Sequence, residues 1–143
     1  MAEQYFLRKT FELASKGAGL VSPNPLVGAV IVKNGQILSE GHHRGPGEDH
    51  AEIMAIKNAR ESVVGSTLYC NLEPCCHTNK RTPPCVDQII TAGIERVVFS
   101  NIDPNPEVSG KGAEILRSKG IQVEANILAE EGKELNEIFF KYI

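Results

Sequence analysis

The chain has 143 residues, of which 41% are hydrophobic and 23% charged, and its formal net charge is −3. This length and composition predict one soluble globular domain, and they exclude a disulfide-stapled miniprotein and a disordered chain. The acidic balance argues against a nucleic-acid or anionic-membrane binder, because such affinity comes from clustered Lys and Arg. Residues 1–10 lack the apolar core of a signal peptide, so we expect a cytoplasmic protein.

The first half of the chain predicts a helix followed by a β-hairpin. Apolar residues at helical spacing predict an amphipathic helix over residues 3–16. A β-prone run over 26–33 is followed by Asn34-Gly35, the strongest short hairpin signal, and by a returning strand over 36–40. Residues 41–49 contain three glycines and a proline, and we expect them to form a loop.

The second half predicts helices and strands in alternation. The helix starting at His50 has Asp49 as its expected N-cap. The predicted helices are 50–62, 85–91, 112–119 and 128–142, and the predicted strands are 67–72, 95–100 and 121–125. Together these elements predict an α/β fold, namely a three-layer α/β/α sandwich with a central mixed five-stranded sheet.

The four cysteines are the most informative residues in the composition. Without an export signal they are expected to stay reduced. Cys75, Cys76 and Cys85 fall within eleven residues, close to His77. This spacing indicates metal binding or catalysis before it indicates disulfides. Cys70, inside a predicted strand, is interpreted as a small core residue.

Three features converge on one kind of chemistry. His50-Ala51-Glu52 opens a predicted helix, Pro74-Cys75 follows a strand, and Cys85 opens the next helix. One imidazole and two thiolates can hold Zn²⁺ tetrahedrally with the fourth position open to water. Glu52 can then move a proton from that water to a leaving amine.

The order His-x-Glu, Pro-Cys and a later Cys is the signature of zinc nucleobase deaminases. The alternative is a closed structural zinc site with Cys76 or His77 as the fourth ligand. Under that alternative Glu52 has no role.

Longer strings extend this pattern, and they are PNPLVGAV at 23–30, Gly41-x-His43, His50-Ala51-Glu52, Glu73-Pro74-Cys75, Thr82-Pro83-Pro84-Cys85 and Asp103-Pro104-Asn105-Pro106. Together these strings resemble the deaminase domain of bacterial riboflavin-biosynthesis enzymes. The resemblance covers nearly the whole chain and implies a cytidine-deaminase-like fold. It also implies a hydrolase acting on a cyclic amidine C–N bond, which converts 2,5-diamino-6-ribosylamino-4(3H)-pyrimidinone 5′-phosphate to the corresponding uracil and ammonia.

The same resemblance implies a set of substrate contacts. Asn24 reads the pyrimidine edge, His43 and His77 face the ring, Lys80 or Arg81 meets the phosphate, and Asp103 and Asn105 contact the ribose hydroxyls. Asn24 and the DPNP string at 103–106 are also good turn sequences, and residues 80–81 also fit a solvated basic loop. Nine residues separate Cys75 from Cys85, one more than the family pattern, so Lys80 and Arg81 both stay candidates.

Many members of this family continue into a reductase domain, and the chain stops where that domain would begin. The sequence therefore predicts a single zinc-dependent deaminase domain over 1–143 without reductase, which is either a stand-alone enzyme with a separate reductase partner or an isolated domain. The alternatives are a zinc deaminase of guanine, cytosine or a tRNA adenosine, or a non-catalytic zinc-binding module. A tRNA deaminase should show Cys-x-x-Cys and a basic surface, and neither is present.

The apolar end of the last predicted helix indicates self-association. Its apolar residues are Ile138, Phe139, Phe140, Tyr142 and Ile143. Because an uncovered apolar patch of this size is unusual on a monomer, we expect a homodimer or tetramer. The alternative is that the same residues close the core.

Overall fold

The computed structural model describes residues 2–18, 26–45, 48–75, 84–102 and 109–140. Its elements alternate as predicted along these ranges. In chain order they are α1 (Ala2–Ser15), β1 (Gly28–Lys33), β2 (Gln36–His42), α2 (Ala51–Asn58), β3 (Thr67–Leu72), α3 (Cys85–Ala92), β4 (Arg96–Asn101), α4 (Lys111–Ser118), β5 (Gln122–Glu124) and α5 (Ala129–Phe140).

The five strands form one mixed sheet in the order β2-β1-β3-β4-β5. Strand β1 is antiparallel to both β2 and β3, whereas β3, β4 and β5 are mutually parallel. The β1–β2 hairpin turns at Asn34 and Gly35, whose φ angles are 54° and 77°. Positive φ at both central residues is the requirement of the tight turn that Asn-Gly predicts. The predicted mixed five-stranded sheet and its hairpin are confirmed.

Both faces of the sheet are covered by helices. Successive strand residues point to opposite faces, and buried apolar residues occupy both of them. On one face Ala29, Ile31, Leu68, Cys70, Val97 and Phe99 pack with α2, α3 and α4. On the other face Val30, Val32, Tyr69 and Val98 pack with Phe6, Leu7 and Leu13 of α1, and α5 lies beside α1 against β4. The predicted three-layer α/β/α sandwich is therefore confirmed.

Helix α2 differs from its prediction at both ends. The N-cap is His50, not Asp49, and it makes no side-chain capping bond. Asp49 instead accepts a 2.7 Å bond from Lys57 Nζ, so its carboxylate serves an ion pair. At the other end Ala59 has an extended backbone conformation, with φ −68° and ψ 131°, and the helix ends at Asn58 rather than at residue 62.

Among the described residues no helix is long and apolar enough to span a membrane.

Strand β2 continues two residues beyond its prediction, to His42. It crosses directly beneath α2, and a Cβ atom at Gly41 would overlap the backbone of Ala51 and Ala55. The missing side chain therefore lets the strand and the helix approach closely. This close packing brings the start of α2 to the end of β2.

Candidate metal centre and active site

Three predicted ligands come together at the starts of two helices. His50 is the N-cap of α2, Cys75 follows β3, and Cys85 is the first residue of α3. Their ligand atoms all lie within 4.8 Å of one another. His50 Nδ1 is 3.3 Å from the Sγ of Cys85 and 3.6 Å from that of Cys75. The fold thus makes a compact His/Cys/Cys group from residues up to 35 positions apart.

The two cysteines are held together by backbone hydrogen bonds. The N–H of Cys85 donates to Cys75 Sγ at 3.4 Å, and the N–H of Val86 donates to the Cys75 carbonyl at 3.2 Å. These donors belong to the first turn of α3, where unpaired N–H groups carry partial positive charge. The helix start therefore stabilises negative charge on the Cys75 sulfur.

The protonation of the cysteines follows from their mutual contact. The hydrogen bond from Cys85, with support from His50, lowers the pKa of Cys75 to about 4 despite burial. The same contact with Cys75, together with burial, raises the pKa of Cys85. Two sulfurs and one imidazole are the ligands that a tetrahedral zinc site uses. The donor set therefore fits Zn²⁺.

Glu52 is the second residue of α2, and only 3% of it is exposed. Its Oε1 atom has no hydrogen-bond partner among the described residues. Burial is the largest influence on this group and raises the pKa of Glu52 to about 7, although the charge of His50 acts in the opposite direction. An unpaired buried carboxyl oxygen is costly, so a ligand or water is expected beside it.

His43 lies next to the His/Cys/Cys group. It is buried, and its ring stands edge-on to that of His50, with centroids 5.4 Å apart at 89°. His43 Nδ1 is 3.2 Å from the Asp49 carbonyl oxygen, and its backbone N–H donates to Val27. The structure therefore puts His43 beside His50, while its contact with substrate stays a prediction.

Glu73 lies two residues before Cys75, and no role was predicted for it from the sequence. Its side chain is buried, and its two carboxylate oxygens accept the backbone N–H groups of Gly110 and Ala113, each at 2.9 Å. Both partners belong to the start of α4, 37 and 40 residues further along the chain. No local pattern around Glu73 indicates so distant a partner.

Two buried asparagines, also missed, hold the backbone that enters β1. Asn71 accepts a 2.8 Å bond from the Gly28 N–H and donates one of 2.8 Å to the Leu26 carbonyl. Asn136 of α5 accepts the Leu26 N–H at 2.9 Å. Together they provide hydrogen-bond partners for backbone groups of Leu26 and Gly28 in the protein interior.

The other predicted contacts lie outside the described residues. They are Asn24, His77, Lys80, Arg81, Asp103 and Asn105, and Cys76 belongs with them. Cys70 lies fully buried in β3, where burial raises the pKa of its thiol well above the usual value.

This fold and donor set agree with what comparisons of the chain with known proteins find. The family model described as the cytidine and deoxycytidylate deaminase zinc-binding region matches residues 1–101. The chain is 50% identical over 141 residues to the riboflavin biosynthesis protein RibD of Aquifex aeolicus, covering 99% of this chain and 39% of that protein.

Two further comparisons identify the branch of the family to which the chain belongs. The diaminohydroxyphosphoribosylamino-pyrimidine deaminase of Buchnera aphidicola subsp. Schizaphis graminum is 48% identical over 141 residues, which cover 99% of this chain and 95% of that protein. A deaminase/reductase crystal structure from Thermotoga maritima superimposes with a TM-score of 0.90 at 49% identity, covering 99% of this chain and 41% of that one. The chain therefore belongs to the cytidine and deoxycytidylate deaminase family, in its branch of diaminohydroxyphosphoribosylaminopyrimidine deaminases. It spans about two fifths of the Aquifex relative and nearly all of the Buchnera relative.

Proposed function

We propose that the chain catalyses the hydrolytic deamination of 2,5-diamino-6-ribosylamino-4(3H)-pyrimidinone 5′-phosphate. The products are 5-amino-6-(5-phosphoribosylamino)uracil and ammonia, in an early step of riboflavin biosynthesis. The observation that carries the proposal is the His50, Cys75 and Cys85 group with the buried carboxyl of Glu52 against it. The Buchnera deaminase, which the chain matches over nearly its whole length, supports the substrate.

His50, Cys75 and Cys85 are the residues that would hold Zn²⁺. When bound there, zinc supplies the Lewis acidity that makes a water molecule a nucleophile near neutral pH. Two thiolates offset the charge of the cation, and the start of α3 keeps Cys75 in its thiolate form. Three protein ligands would leave a fourth position for water, as in catalytic zinc sites.

Glu52 is proposed to move the protons. Its carboxylate takes a proton from the attacking water as the oxygen bonds to the ring carbon that carries the exocyclic amine. It then delivers this proton to the amine nitrogen, the carbon–nitrogen bond breaks, and ammonia leaves. A buried carboxyl whose Oε1 atom has no hydrogen-bond partner among the described residues suits both steps, because that oxygen is available to bond first to the water and then to the amine.

The substrate contacts stay predictions that rest on the resemblance. Asn24, His43 and His77 are proposed for the pyrimidine, and Asp103 and Asn105 for the ribose. Lys80 or Arg81 is proposed for the phosphate, because an acidic protein needs a local cation to bind an anion. Replacing each in turn by Ala should raise KM for the phosphorylated substrate only. An equal rise for the dephosphorylated compound would assign phosphate binding elsewhere.

Three broader expectations also stay predictions. They are a cytoplasmic location, association into a homodimer or tetramer, and activity of residues 1–143 as one deaminase domain. Light scattering of the purified chain measures the second directly.

The proposed reaction is tested by metal analysis combined with an ammonia-release assay. We expect about one zinc per chain and ammonia from the phosphorylated ribosylaminopyrimidine. Guanine and cytosine serve as matched controls and should release none. Ammonia from guanine or cytosine without release from the ribosylaminopyrimidine would refute the substrate. A zinc-loaded chain inactive on all three would instead indicate a non-catalytic zinc module.

A further inference from the structure

The metal centre is assembled from two parts of the fold. Cys75 and Cys85 are joined to each other by backbone bonds at the start of α3. His50 and Glu52 both belong to the start of α2, and this helix packs on β1 and β2. The distance from these two side chains to the cysteines therefore depends on where α2 lies along β2.

Helix α2 needs contacts outside itself to keep its place. It has only 8 residues, and a helix of this length is marginal on its own in water. At its C-terminal end the N–H of Ala59, which would continue the helical pattern to the Ala55 carbonyl, bonds to the Ile56 carbonyl instead. The Ala55 carbonyl is thus one of the helix-end groups that require a partner from elsewhere.

Ser39 of β2 provides that partner. Only 7% of Ser39 is exposed, and its hydroxyl donates to the Ala55 carbonyl oxygen at 2.7 Å. The next strand residue, Glu40, accepts a bond from the helix in return, because Asn58 Nδ2 donates to its carbonyl at 3.0 Å. Two neighbouring residues of β2 are therefore bonded to the last turn of α2.

These bonds add direction to a contact that is already close. A Cβ atom at Gly41 would overlap the backbone of Ala51 and Ala55, so the strand and the helix are as near as their backbones allow. Close packing sets this separation, whereas a hydrogen bond also restricts distance and angle. Because the peptide dipoles of a helix lie roughly along its axis, the Ser39 bond opposes movement of α2 along that axis.

We propose that Ser39 is a positioning residue that holds α2 in register with the two cysteine ligands. It thereby keeps His50 and Glu52, at the other end of the same helix, in place beside the metal. This proposal rests on the proposed function, because that function assigns zinc binding to His50 and proton transfer to Glu52. Ser39 acts through the helix and not by contact with the zinc or the substrate.

The test is Ser39→Ala in the full zinc-loaded chain, with two readouts. The first is the rate at which a chelating dye removes zinc, which we expect to rise about tenfold, as for residues that orient metal ligands. The second is kcat for ammonia release, which we expect to fall about tenfold with KM nearly unchanged, because small misplacements of a reacting group slow the chemical step. A merely structural residue would change thermal stability without moving either readout.

Ser66→Ala is the matched control. Ser66 is also a buried serine whose hydroxyl donates to a backbone carbonyl, that of Val63. It directly precedes β3, at the end of the sheet away from the metal centre. The two substitutions remove the same atom and the same kind of bond. We expect Ser66→Ala to lower the midpoint of thermal unfolding while keeping the zinc-release rate and kcat of the unchanged protein.

Equal zinc release and kcat in Ser39→Ala and Ser66→Ala would overturn the proposal, because loss of stability alone would then explain both readouts. A change in only one readout would also overturn it, because His50 and Glu52 move with the same helix. Should Ser39→Ala fail to fold, Asn58→Ala, which removes the second bond between β2 and α2, is carried through the same two measurements. Failure of the proposed function looks different, because the unchanged protein itself would then bind no zinc or release no ammonia.

Discussion

The two faces of the sheet differ in the kinds of residues and contacts that they contain. Strands β2, β3 and β4 run in the same direction. Helices α2, α3 and α4 follow these strands on one face, so all three helices begin at the same end of the sheet. His50, Cys85 and the Glu73 contact with α4 lie at these three helix starts. The opposite face, under α1 and α5, contains an apolar cluster and the asparagine contacts to Leu26.

This difference has a simple physical origin. Helix starts offer unpaired N–H groups and partial positive charge, which favour thiolates and carboxylates, whereas helix sides offer apolar packing and side-chain contacts. Substitutions at the helix starts should therefore change the chemistry more than the stability. Substitutions under α1 and α5 should do the reverse.

The largest expected effect is from Glu52→Gln on the site face. The amide cannot take or deliver a proton, so ammonia release should fall by about 10²–10⁴-fold, the usual contribution of a general acid–base group. Zinc content should stay unchanged, because Glu52 is not one of the grouped donors. Steady-state ammonia release and metal analysis measure the two quantities. Undiminished turnover would remove Glu52 from the mechanism.

A matched pair of core truncations compares the faces directly. Leu7→Ala in α1 and Ile89→Ala in α3 each remove a fully buried aliphatic side chain, and each should lower the free energy of unfolding by about 2–5 kcal/mol. Only Ile89→Ala should also hasten zinc release, because α3 carries Cys85. Denaturant titration and chelator competition provide the measurements. Equal zinc release in both variants would show that the faces are not separable.

A smaller effect is expected from Asn136→Ala, and this variant tests whether α5 affects substrate binding as well as stability. The substitution removes the 2.9 Å bond to the Leu26 N–H and should lower the free energy of unfolding by about 1–3 kcal/mol. Leu26 follows Asn24 by two residues, so KM for the phosphorylated substrate should rise while kcat is kept. An unchanged KM would confine α5 to a structural role.

The smallest effect is expected from Arg8→Gln on α1. Arg8 pairs with Glu131 of α5 at 3.0 Å, but both side chains are about half exposed. Water and salt screen such a pair, so the midpoint of thermal unfolding and the rate of ammonia release should both stay unchanged. A clear loss of stability at low salt only would assign the pair a role in joining α1 to α5.

Much of the fold was predictable because its signals are local. The Asn34-Gly35 turn needs only two neighbouring residues, and alternating apolar residues report which strand face is buried. The grouping of His50, Cys75 and Cys85 was predictable because these residues keep a known order along the chain. The predicted N-cap of α2, Asp49, was wrong, because its carboxylate pairs with Lys57 and does not cap the helix.

Long-range polar contacts were not predictable. Glu73 bonds to backbone groups of α4, and Asn71 bonds to backbone groups around Leu26, 43 to 45 residues earlier in the chain. Backbone N–H and C=O groups are the same at every position, so the sequence does not mark which of them a buried side chain meets. Only the packed sheet and helices determine those pairs.

The bonds that join Cys75 to the first turn of α3 also bear on how enzymes of this kind diversify. On either side of the nine intervening residues, the chain is joined by the bonds from the Cys85 and Val86 N–H groups to Cys75. Where two chain positions are held together in this way, a longer connection between them adds little closure entropy. Insertions can therefore accumulate between the two sulfurs without displacing them. New ligand preferences can evolve there while the reaction chemistry is inherited unchanged.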